Sequence, residues 1–212
     1  MSIMLAGRPV LSDAPAGRAA QRRQHILATS RRLFIKNGFH GTGVAQIAAA
    51  SGIRVGQLYR DFSAKEDIIA AIALRDLSQF LDEASLDWAI MAGNREAIRR
   101  WILAFVTYDH DIDGYRLIPE IMAESSRNPR IAEFQEEITT RVRRALTAAL
   151  TALAPGNGRK TARADLADLI LTLSCGLCQV IVAEAQQGHD HQRLCARLQA
   201  IVIGELDLIC HS

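Results

Sequence analysis

A short polar and basic segment, 54–60, carries the residues of this sequence that are best suited to chemistry. Arg54, Gln57 and Arg60 recur every three positions and so fall on one face of a helix. Arginine can pair with the edge of guanine and glutamine with the edge of adenine. Gly56 removes a side chain where a backbone would approach DNA. The spacing predicts a helix that lies in a major groove, and the competing interpretation is an ordinary helical corner with a solvated polar face.

The residues on either side predict the helices that would position this segment. Apolar residues in 44–48 lie at helical spacing, and Thr42 is a suitable N-cap for that helix. Gly52 supplies the positive φ that a tight turn needs. The stretch 63–66 has the pattern of a capping box, with Ser at the cap and Glu66 three residues later. A helix, a glycine turn and a short helix are the elements of a helix-turn-helix.

Charge is distributed unevenly along the chain. The whole sequence has a formal net charge of +2, but residues 18–67 carry nine Lys or Arg and three Asp or Glu. Residues 68–212 carry 15 basic and 19 acidic residues. A basic N-terminal part on a mildly acidic remainder favours DNA binding that is confined to one end.

The first third of the chain resembles the DNA-binding domain of TetR-family transcriptional regulators. The resemblance implies a homodimer whose N-terminal domains bind a near-palindromic operator. It also implies a C-terminal domain that holds an effector pocket and the dimer interface. The positions that carry it in register are Ile26-Leu27, Leu33-Phe34, Asn37-Gly38-Phe39, Thr42, Ile47-Ala48, Gly52-Ile53, Gly56, Leu58-Tyr59, Phe62 and Lys65-Glu66.

Residue types and the resemblance together give a predicted set of DNA contacts. Tyr59 and Lys65 suit phosphate contact from the two sides of the groove. The resemblance implies the same role for these two and for Thr42, and it makes Gln57 a base reader. The predicted set is Thr42, Gly43, Arg54, Val55, Gly56, Gln57, Tyr59, Arg60 and Lys65.

Two positions depart from the usual pattern of the family. Arg54 stands where the family usually has Ser, so a helix cap worth about 1 kcal/mol is expected to be missing. Asp61 stands where the family often has His or another neutral residue. A carboxylate beside a phosphate is repulsive, so we expect Asp61 to turn away or to pair with an arginine.

Composition predicts an all-α fold of about nine helices. Hydrophobic residues make up 49% and charged residues 23% of the 212, and Pro and Gly are few. We expect a mobile N-terminal arm (1–17), a three-helix helix-turn-helix domain (18–66) and a helical effector-binding and dimerisation domain (67–212). The resemblance implies that a single long helix, 63–88, joins the two domains, and a rigid helix with one end at each site can transmit a tilt between them.

The last two predicted helices, 161–187 and 190–210, favour self-association. The first is apolar nearly all round, and its uninterrupted stretch after Asp168 is shorter than the roughly 20 residues of a membrane span. We therefore expect a four-helix homodimer interface and no membrane, with Gly176 and Gly204 allowing close approach. The residues expected to pair across the interface are Leu194, Leu198, Ile201, Val202 and Leu206.

The effector pocket is predicted from apolar residues between helices of the C-terminal bundle. Each of these residues also suits an ordinary core. Glu120 and Glu124 suit either counter-ions for a cationic effector or surface charges. The predicted lining is Trp101, Phe105, Tyr108, Met122, Phe134 and Cys178.

Cys175 and Cys178 form a C-x-x-C pattern inside an apolar helix. A thioredoxin-type motif needs a strand before it, and a zinc site needs a second pair or nearby histidines. We expect buried, reduced thiols. The polar turn at 189–191 carries two histidines, but we expect neither a metal nor a cofactor.

The sequence thus predicts a ligand-responsive, sequence-specific DNA-binding transcriptional regulator in the cytoplasm. Most simply it is a repressor that a small molecule releases from its operator. Its predicted partners are double-stranded operator DNA, a second copy of the chain and an unidentified effector. The alternative is a DNA-binding regulator switched by cysteine oxidation or a metal. An enzyme is not expected, because the sequence has no nucleophile–base pattern or phosphate loop, and a helical adaptor would bind no DNA.

Overall fold

The computed structural model describes residues 17–108, 112–185, 187 and 189–211, and every regular element within them is helical. The predicted arm 1–17 lies outside these residues except for Gly17. The all-α class is confirmed. The α-helices are α1 (Arg18–Asn37), α2 (Val44–Ala50), α3 (Val55–Asp61), α4 (Lys65–Leu81), α5 (Glu83–Met91), α6 (Arg95–Leu103), α7 (Ile112–Tyr115), α8 (Leu117–Ser125), α9 (Pro129–Leu153), α10 (Lys160–Ala183) and α11 (Gln192–His211), with 3-10 turns at Ala104–Val106 and Asn157–Arg159.

Helices α1–α4 form the head, and α5–α11 form the body. Within the head, α2 and α3 meet at a turn in which Gly52 has a φ of +65°, as the helix-turn-helix pattern predicts. The head core is built from fully buried side chains of all four helices. Its most buried members are Ile26, Phe34, Ile47, Leu58 and Ile68.

Two predicted helix starts in the head are wrong in detail. The backbone of Gly43 begins α2 without a side-chain cap from the described residues, because the hydroxyl of Thr42 instead donates to the carbonyls of Gly38, at 2.9 Å, and Leu33, at 3.2 Å. Helix α4 begins at Lys65. The amide of Ala64 donates to Asp67, at 3.0 Å, and not to the predicted Glu66.

The long helix predicted over 63–88 is divided at Asp82. This residue has a φ of +38°, a left-handed conformation that aspartate tolerates better than most residues, and its carboxylate accepts from the amide of Ser85 at 3.4 Å. Helix α4 therefore ends at Leu81 and α5 begins at Glu83. This division and the four-residue helix α7 account for the eleven α-helices of the described residues, against about nine expected.

Packing does not stop at the predicted boundary between 66 and 67. The head core continues into the body through Leu117 and Ile121 of α8 and Ile131 and Phe134 of α9. The body has a larger core of its own, in which α5, α6, α9, α10 and α11 meet. The division into 18–66 and 67–212 stays a prediction, but the head and the body share buried side chains.

The last two helices bury one face and leave another exposed. The stretch 157–183 is long and apolar enough to cross a membrane by length and composition, and 33% of its most apolar window is buried. On α11 the predicted pairing set is wrong in part: Val202 and Leu206 lie in the body core, whereas Ile201 is 48% exposed. The exposed face of α11 instead continues through Leu208, which is 63% exposed.

Candidate nucleic-acid interface

Helix α3 presents a polar and basic face to solvent. Within this helix, every residue of which is described, only Leu58 is buried, and it fills the angle against α1 and α2. Tyr59 is 51% exposed, and Gln57 is partly exposed. We call the reading face the exposed and partly exposed residues at and around α3: Arg54, Val55, Gly56, Gln57, Tyr59 and Arg60.

The N-terminal end of α3 has no side-chain cap among the described residues, as the arginine at position 54 predicts. Arg54 occupies the N-cap position in an extended conformation, and no described side chain accepts a hydrogen bond there. Its guanidinium is a donor group without an acceptor, so it cannot satisfy the free amides of the first turn. Since Arg54 is exposed, its five donors remain available to an acceptor outside the chain.

The C-terminal end of α3 is held by α1 through Asp61. Arg22 donates to both oxygens of its carboxylate, from Nε at 2.7 Å and from Nη2 at 2.9 Å. Arg23 donates to the backbone carbonyl of Asp61 at 2.6 Å. The hydrogen bonds from Arg22 hold the pKa of Asp61 below its usual value. The expected pairing of Asp61 with an arginine is confirmed.

Of the predicted phosphate contacts, Thr42 is buried and Lys65 is still accessible. Thr42 is fully buried, so its side chain positions the loop between α1 and α2 and is not placed to touch a phosphate. Gly43 beside it is exposed. The ammonium of Lys65 donates to the carbonyl of Phe39 at 2.7 Å and lies 4.1 Å from the centre of its ring. An ammonium has three donors, so Lys65 keeps capacity for a phosphate.

The carboxylates of Glu120 and Glu124 hold the head and are neither pocket counter-ions nor free surface charges. Glu120 accepts from the amide of Phe39 at 3.0 Å. Glu124, one turn later on α8, lies 2.6 Å from Nε2 of His40. Sequence reasoning missed this role, although the spacing of four residues already placed both carboxylates on one face of a helix. The body therefore contacts the loop that also carries Thr42.

The beginnings of α4 and α9 add a second set of contacts between head and body. Asn128 donates to Glu66 at 3.2 Å, and Arg130 pairs with Asp67 at 2.7 Å. Lys65, a predicted DNA contact, immediately precedes these two acidic residues. These contacts connect the beginning of α9 to the beginning of α4.

The six predicted effector residues do not converge on one pocket. Trp101 and Phe105 pack together against the body core, with ring centres 5.1 Å apart. Phe134 belongs to the head core, and Tyr108 packs on a separate small cluster at the ends of α10 and α11. Met122 is 41% exposed, and Cys178 is buried in α10. Their apolar character predicted burial correctly for three of the six, Phe105, Phe134 and Cys178, but did not identify a cavity.

An open groove of about 830 Å³ lies between α5 and α9. Its lining includes the apolar Ile90, Ala148 and Ala152 and the basic Arg143 and Arg144. It contains none of the predicted effector residues.

Aromatic and acidic side chains cluster where α10 turns into α11. The ring of Tyr108 lies 5.5 Å from that of Tyr115 and 5.7 Å from that of His191, measured between centres. Glu184 approaches His191 to 3.8 Å and His189 to 2.9 Å. Electron-rich rings beside a carboxylate suit a cation. Of this cluster, the sequence prediction included Tyr108.

The cysteines are poorly suited to a thiol switch. All four, which the structure describes, are free. Burial, with the neighbouring Cys175, raises the pKa of Cys178 to about 12, and burial also raises that of Cys175. A thiol with a raised pKa forms little of the reactive thiolate at neutral pH. Across the described residues, no group of three or more His, Cys, Asp or Glu is arranged to hold a metal ion.

Comparison with protein families matches both parts of the chain. The family described as bacterial regulatory proteins, tetR family, matches residues 26–72, and the family described as BetI-type transcriptional repressor, C-terminal, matches residues 94–205. The transcriptional regulator UidR of Escherichia coli is 35% identical over 121 residues, which are 54% of this chain and 57% of UidR. The transcriptional activator FasR of Mycolicibacterium smegmatis is 30% identical over 101 residues, 47% of this chain and 46% of FasR. The chain thus spans about half the length of these curated relatives.

Solved structures cover nearly the whole fold. GusR of Salmonella enterica matches with a TM-score of 0.65 at 25% identity, over 93% of this chain and 98% of GusR. A transcriptional regulator of Saccharomonospora viridis, solved in complex with choline, matches with a TM-score of 0.62 at 19% identity, over 88% of this chain and 96% of its own. At that identity the second likeness shows the fold alone.

Proposed function

This chain belongs to the TetR family of transcriptional regulators, and from that membership we propose that it binds a near-palindromic operator as a homodimer and that a small molecule releases it. The observation that supports this most is the reading face of α3. Within the described helix α3 only Leu58 is fully buried, and the basic and amide side chains face outward, while Asp61 at its end is covered by its pair with Arg22. Such a surface has little to stabilise within the chain and matches the groups that a major groove offers.

Base reading is assigned to Arg54 and Gln57, and phosphate contact to Tyr59, Arg60 and Lys65. Two heads of a dimer would enter successive major grooves about 34 Å apart, or a multiple of that distance. Phosphate contacts would set the register, and the contacts of Arg54 and Gln57 would select the bases.

The test is selection of bound duplexes from a random DNA library with wild-type protein and with Gln57→Ala. We expect wild type to enrich a symmetric site and Gln57→Ala to lose preference at one base pair of each half-site. Gln21→Ala, at an exposed glutamine of α1, is the matched control and should enrich the wild-type site. An unchanged preference in Gln57→Ala would refute the base-reader assignment.

The homodimer is assigned to the exposed face of α10 and α11. Ile201 and Leu208 present apolar surface there. A Cβ added at Gly176 or Gly204 would meet nothing within 4 Å among the described residues, so a second helix has room to approach closely. A second copy is favoured over a lipid bilayer because the exposed side of α10 also carries polar residues such as Gln179. The protein would then act in the cytoplasm as a dimer that needs no detergent.

The effector is assigned to the aromatic and acidic cluster at the α10–α11 turn, and its class to organic cations. Tyr108 and Tyr115 supply aromatic rings, whose negative faces attract a cation, and Glu184, beside His191, supplies the charge. The choline held by the Saccharomonospora viridis regulator of the same fold suggests the first probe.

Calorimetric titration with choline, and operator binding with and without it, test this assignment. We expect choline to weaken operator binding by no more than the ratio of its affinities for the free and the DNA-bound forms. Tyr108→Ala should abolish the choline signal, whereas Trp88→Ala, at an exposed aromatic residue of α5, should keep it. Binding of choline to Tyr108→Ala with wild-type affinity would show that the site lies elsewhere.

A further inference from the structure

The end of α3 that carries Asp61 is held more firmly than the end that carries Arg54. Arg22 donates two hydrogen bonds to the Asp61 carboxylate, and the Asp61 side chain is 12% exposed. Arg23 binds the backbone carbonyl of the same residue and lies 3.9 Å from the centre of the Phe62 ring. Two neighbouring arginines of α1 thus hold one residue by its side chain and by its main chain.

This asymmetry makes α1 a determinant of how α3 points. Leu58, with Ile53 and Phe62 on either side of the helix, fixes the depth of α3 in the head core, but apolar contacts are non-directional. A bidentate pair between a guanidinium and a carboxylate restricts direction as well as distance. Because base contacts require accurate placement of Arg54 and Gln57, the direction of α3 matters for specificity.

The same pair also removes a positive charge from the DNA side of the head. An unpaired Arg22 would add a sequence-independent attraction to phosphates. Paired with Asp61, it contributes none, while the exposed Arg60 stays available. The pair therefore raises the share of the DNA-binding free energy that comes from base contacts, relative to the share that comes from attraction to phosphates.

We propose that Asp61 is a specificity-determining positioning residue, which aligns the reading face and withholds Arg22 from the DNA backbone. The inference rests on the proposed operator binding. It assigns no DNA contact to Asp61 itself. Its signature is a pair of opposite effects: loss of the carboxylate strengthens binding to unrelated DNA, and loss of the arginine weakens it.

The variants separate charge from geometry. Asp61→Asn keeps the size of the side chain, loses its charge and frees Arg22. Arg22→Gln leaves the carboxylate unpaired beside the phosphates. Arg22→Lys keeps the charge and loses the fork geometry, so it reports on direction alone. Asp76→Asn is the control, because Asp76 also pairs with an arginine of α1, Arg31, but through one carboxylate oxygen at 3.2 Å.

The experiment first obtains the operator by selection with wild-type protein. Affinities for that operator and for a scrambled duplex are then measured at several salt concentrations, after each variant is shown to be folded by circular dichroism. We expect Asp61→Asn to reduce the operator-to-scrambled ratio about tenfold. The salt slope on scrambled DNA should rise by about 0.9 for each head that gains a phosphate contact. Arg22→Lys should lower the ratio with an unchanged slope, and Arg22→Gln should weaken binding to both duplexes.

The outcomes distinguish this inference from the proposed function. If wild type enriches no sequence, the proposed function fails. If wild type enriches an operator and Asp61→Asn keeps the wild-type ratio, the positioning role of Asp61 fails alone. An equal loss of the operator-to-scrambled affinity ratio in Asp76→Asn would also overturn the role of Asp61. Any ion pair of the head would then have the same effect on selectivity. Where Asp61→Asn does not fold, Arg22→Lys decides in the same way.

Discussion

The head and the body place their candidate functional residues on opposite sides of a core. In the head, Gln57 and Tyr59 stand outside the packed interior, and the apolar residues between them and α1 are inside it. In the body, predicted effector residues such as Phe105 and Phe134 are themselves part of the packing. An exposed polar side chain is hydrated and can exchange its water for a partner outside the chain, whereas a buried apolar side chain already has its contacts within the chain.

The helix lengths explain this difference. Helix α3 has 7 residues and contacts its neighbours on one side, so its faces separate cleanly. Helices α9 and α10 have 25 and 24 residues and meet several neighbours along their length. An inward residue on a long helix can line a core or a cavity, and periodicity is the same in both cases.

Loss of the dimer should have the largest effect on operator affinity. Gly176→Arg adds a charged side chain on the exposed face of α10, where an added Cβ meets nothing within 4 Å in the described chain, so the protomer should still fold. A single head loses the gain of binding two half-sites together, and operator affinity should fall by roughly 100-fold or more. Light scattering and a fluorescence anisotropy titration measure the two effects. Ala84→Arg, on an exposed site of α5, should leave both unchanged; a dimeric Gly176→Arg variant would place the interface elsewhere.

Core truncations test whether the shared packing of head and body makes them unfold together. Leu58→Ala in the head core and Leu146→Ala in the body core each remove a fully buried side chain, and each should lower the free energy of unfolding by about 2–5 kcal/mol. Because the head core includes residues of α8 and α9, both variants should shift a single transition in urea. Two separate transitions would show that the head unfolds on its own. The conservative variant Leu58→Met is the control and should cost less than about 1.5 kcal/mol.

Sequence spacing was sufficient for the head because its features are local. The turn at Gly52, the anchor Leu58 and the partly exposed Gln57 all lie within a few residues of each other, and the structure has each as expected. The misplaced caps at Thr42 and Glu66 have the same origin: a neighbouring acceptor, the carbonyl of Gly38 or the carboxylate of Asp67, competes for the same partner.

The body was less predictable because its features depend on distant contacts. Glu120 meets Phe39 across 81 positions of sequence, and no local pattern indicates that pairing. The break at Asp82 depends on a left-handed residue that is not glycine, which sequence rules give little reason to expect. All-α class and helix order follow from periodicity, but which side of a long helix faces a ligand does not.

The phosphate contact of Lys65 should be smaller and independent of sequence. Lys65→Gln removes the charge but can keep a hydrogen bond to Phe39, so the loop should hold. We expect about tenfold weaker binding to operator and to unrelated duplex alike, and a salt slope reduced by about 0.9 for each head. Lys36→Gln, at an exposed lysine of α1, serves as the control. A loss confined to the operator would make Lys65 a base-selective residue instead.

Removing the head–body contact of Glu120 should affect operator binding less than Lys65→Gln does. Glu120→Ala leaves the amide of Phe39 without its acceptor, at a cost of about 1 kcal/mol to the local structure. Hydrogen exchange at the Phe39 amide should accelerate, and the response of operator binding to choline should weaken because α8 no longer holds the loop. Glu133→Ala on the exposed side of α9 should change neither quantity. Unchanged exchange at Phe39 would mean that another group protects that amide.

Acid should produce the smallest of the expected effects, a loss of unfolding free energy through one carboxylate in the head and one in the body. Hydrogen bonds from Arg22 lower the pKa of Asp61 in the head, and hydrogen bonds from Arg141 lower that of Glu83 in the body. A carboxyl with a lowered folded-state pKa stabilises the protein above its unfolded pKa, about 3.9 for Asp and 4.3 for Glu, and this contribution is lost as pH falls through the folded value.

Unfolding free energies measured by urea titration between pH 6 and 2.5 should therefore fall less steeply in Asp61→Asn and in Glu83→Gln than in wild type. At pH 6 the variants should be the less stable proteins, and below the folded pKa values their curves should approach that of wild type. Asp61→Asn should in addition change DNA selectivity at neutral pH, whereas Glu83→Gln should leave it unchanged, because Glu83 lies on α5 and not beside α3. If Glu83→Gln altered DNA selectivity as much as Asp61→Asn does, the separation between a reading head and a packed body would not hold.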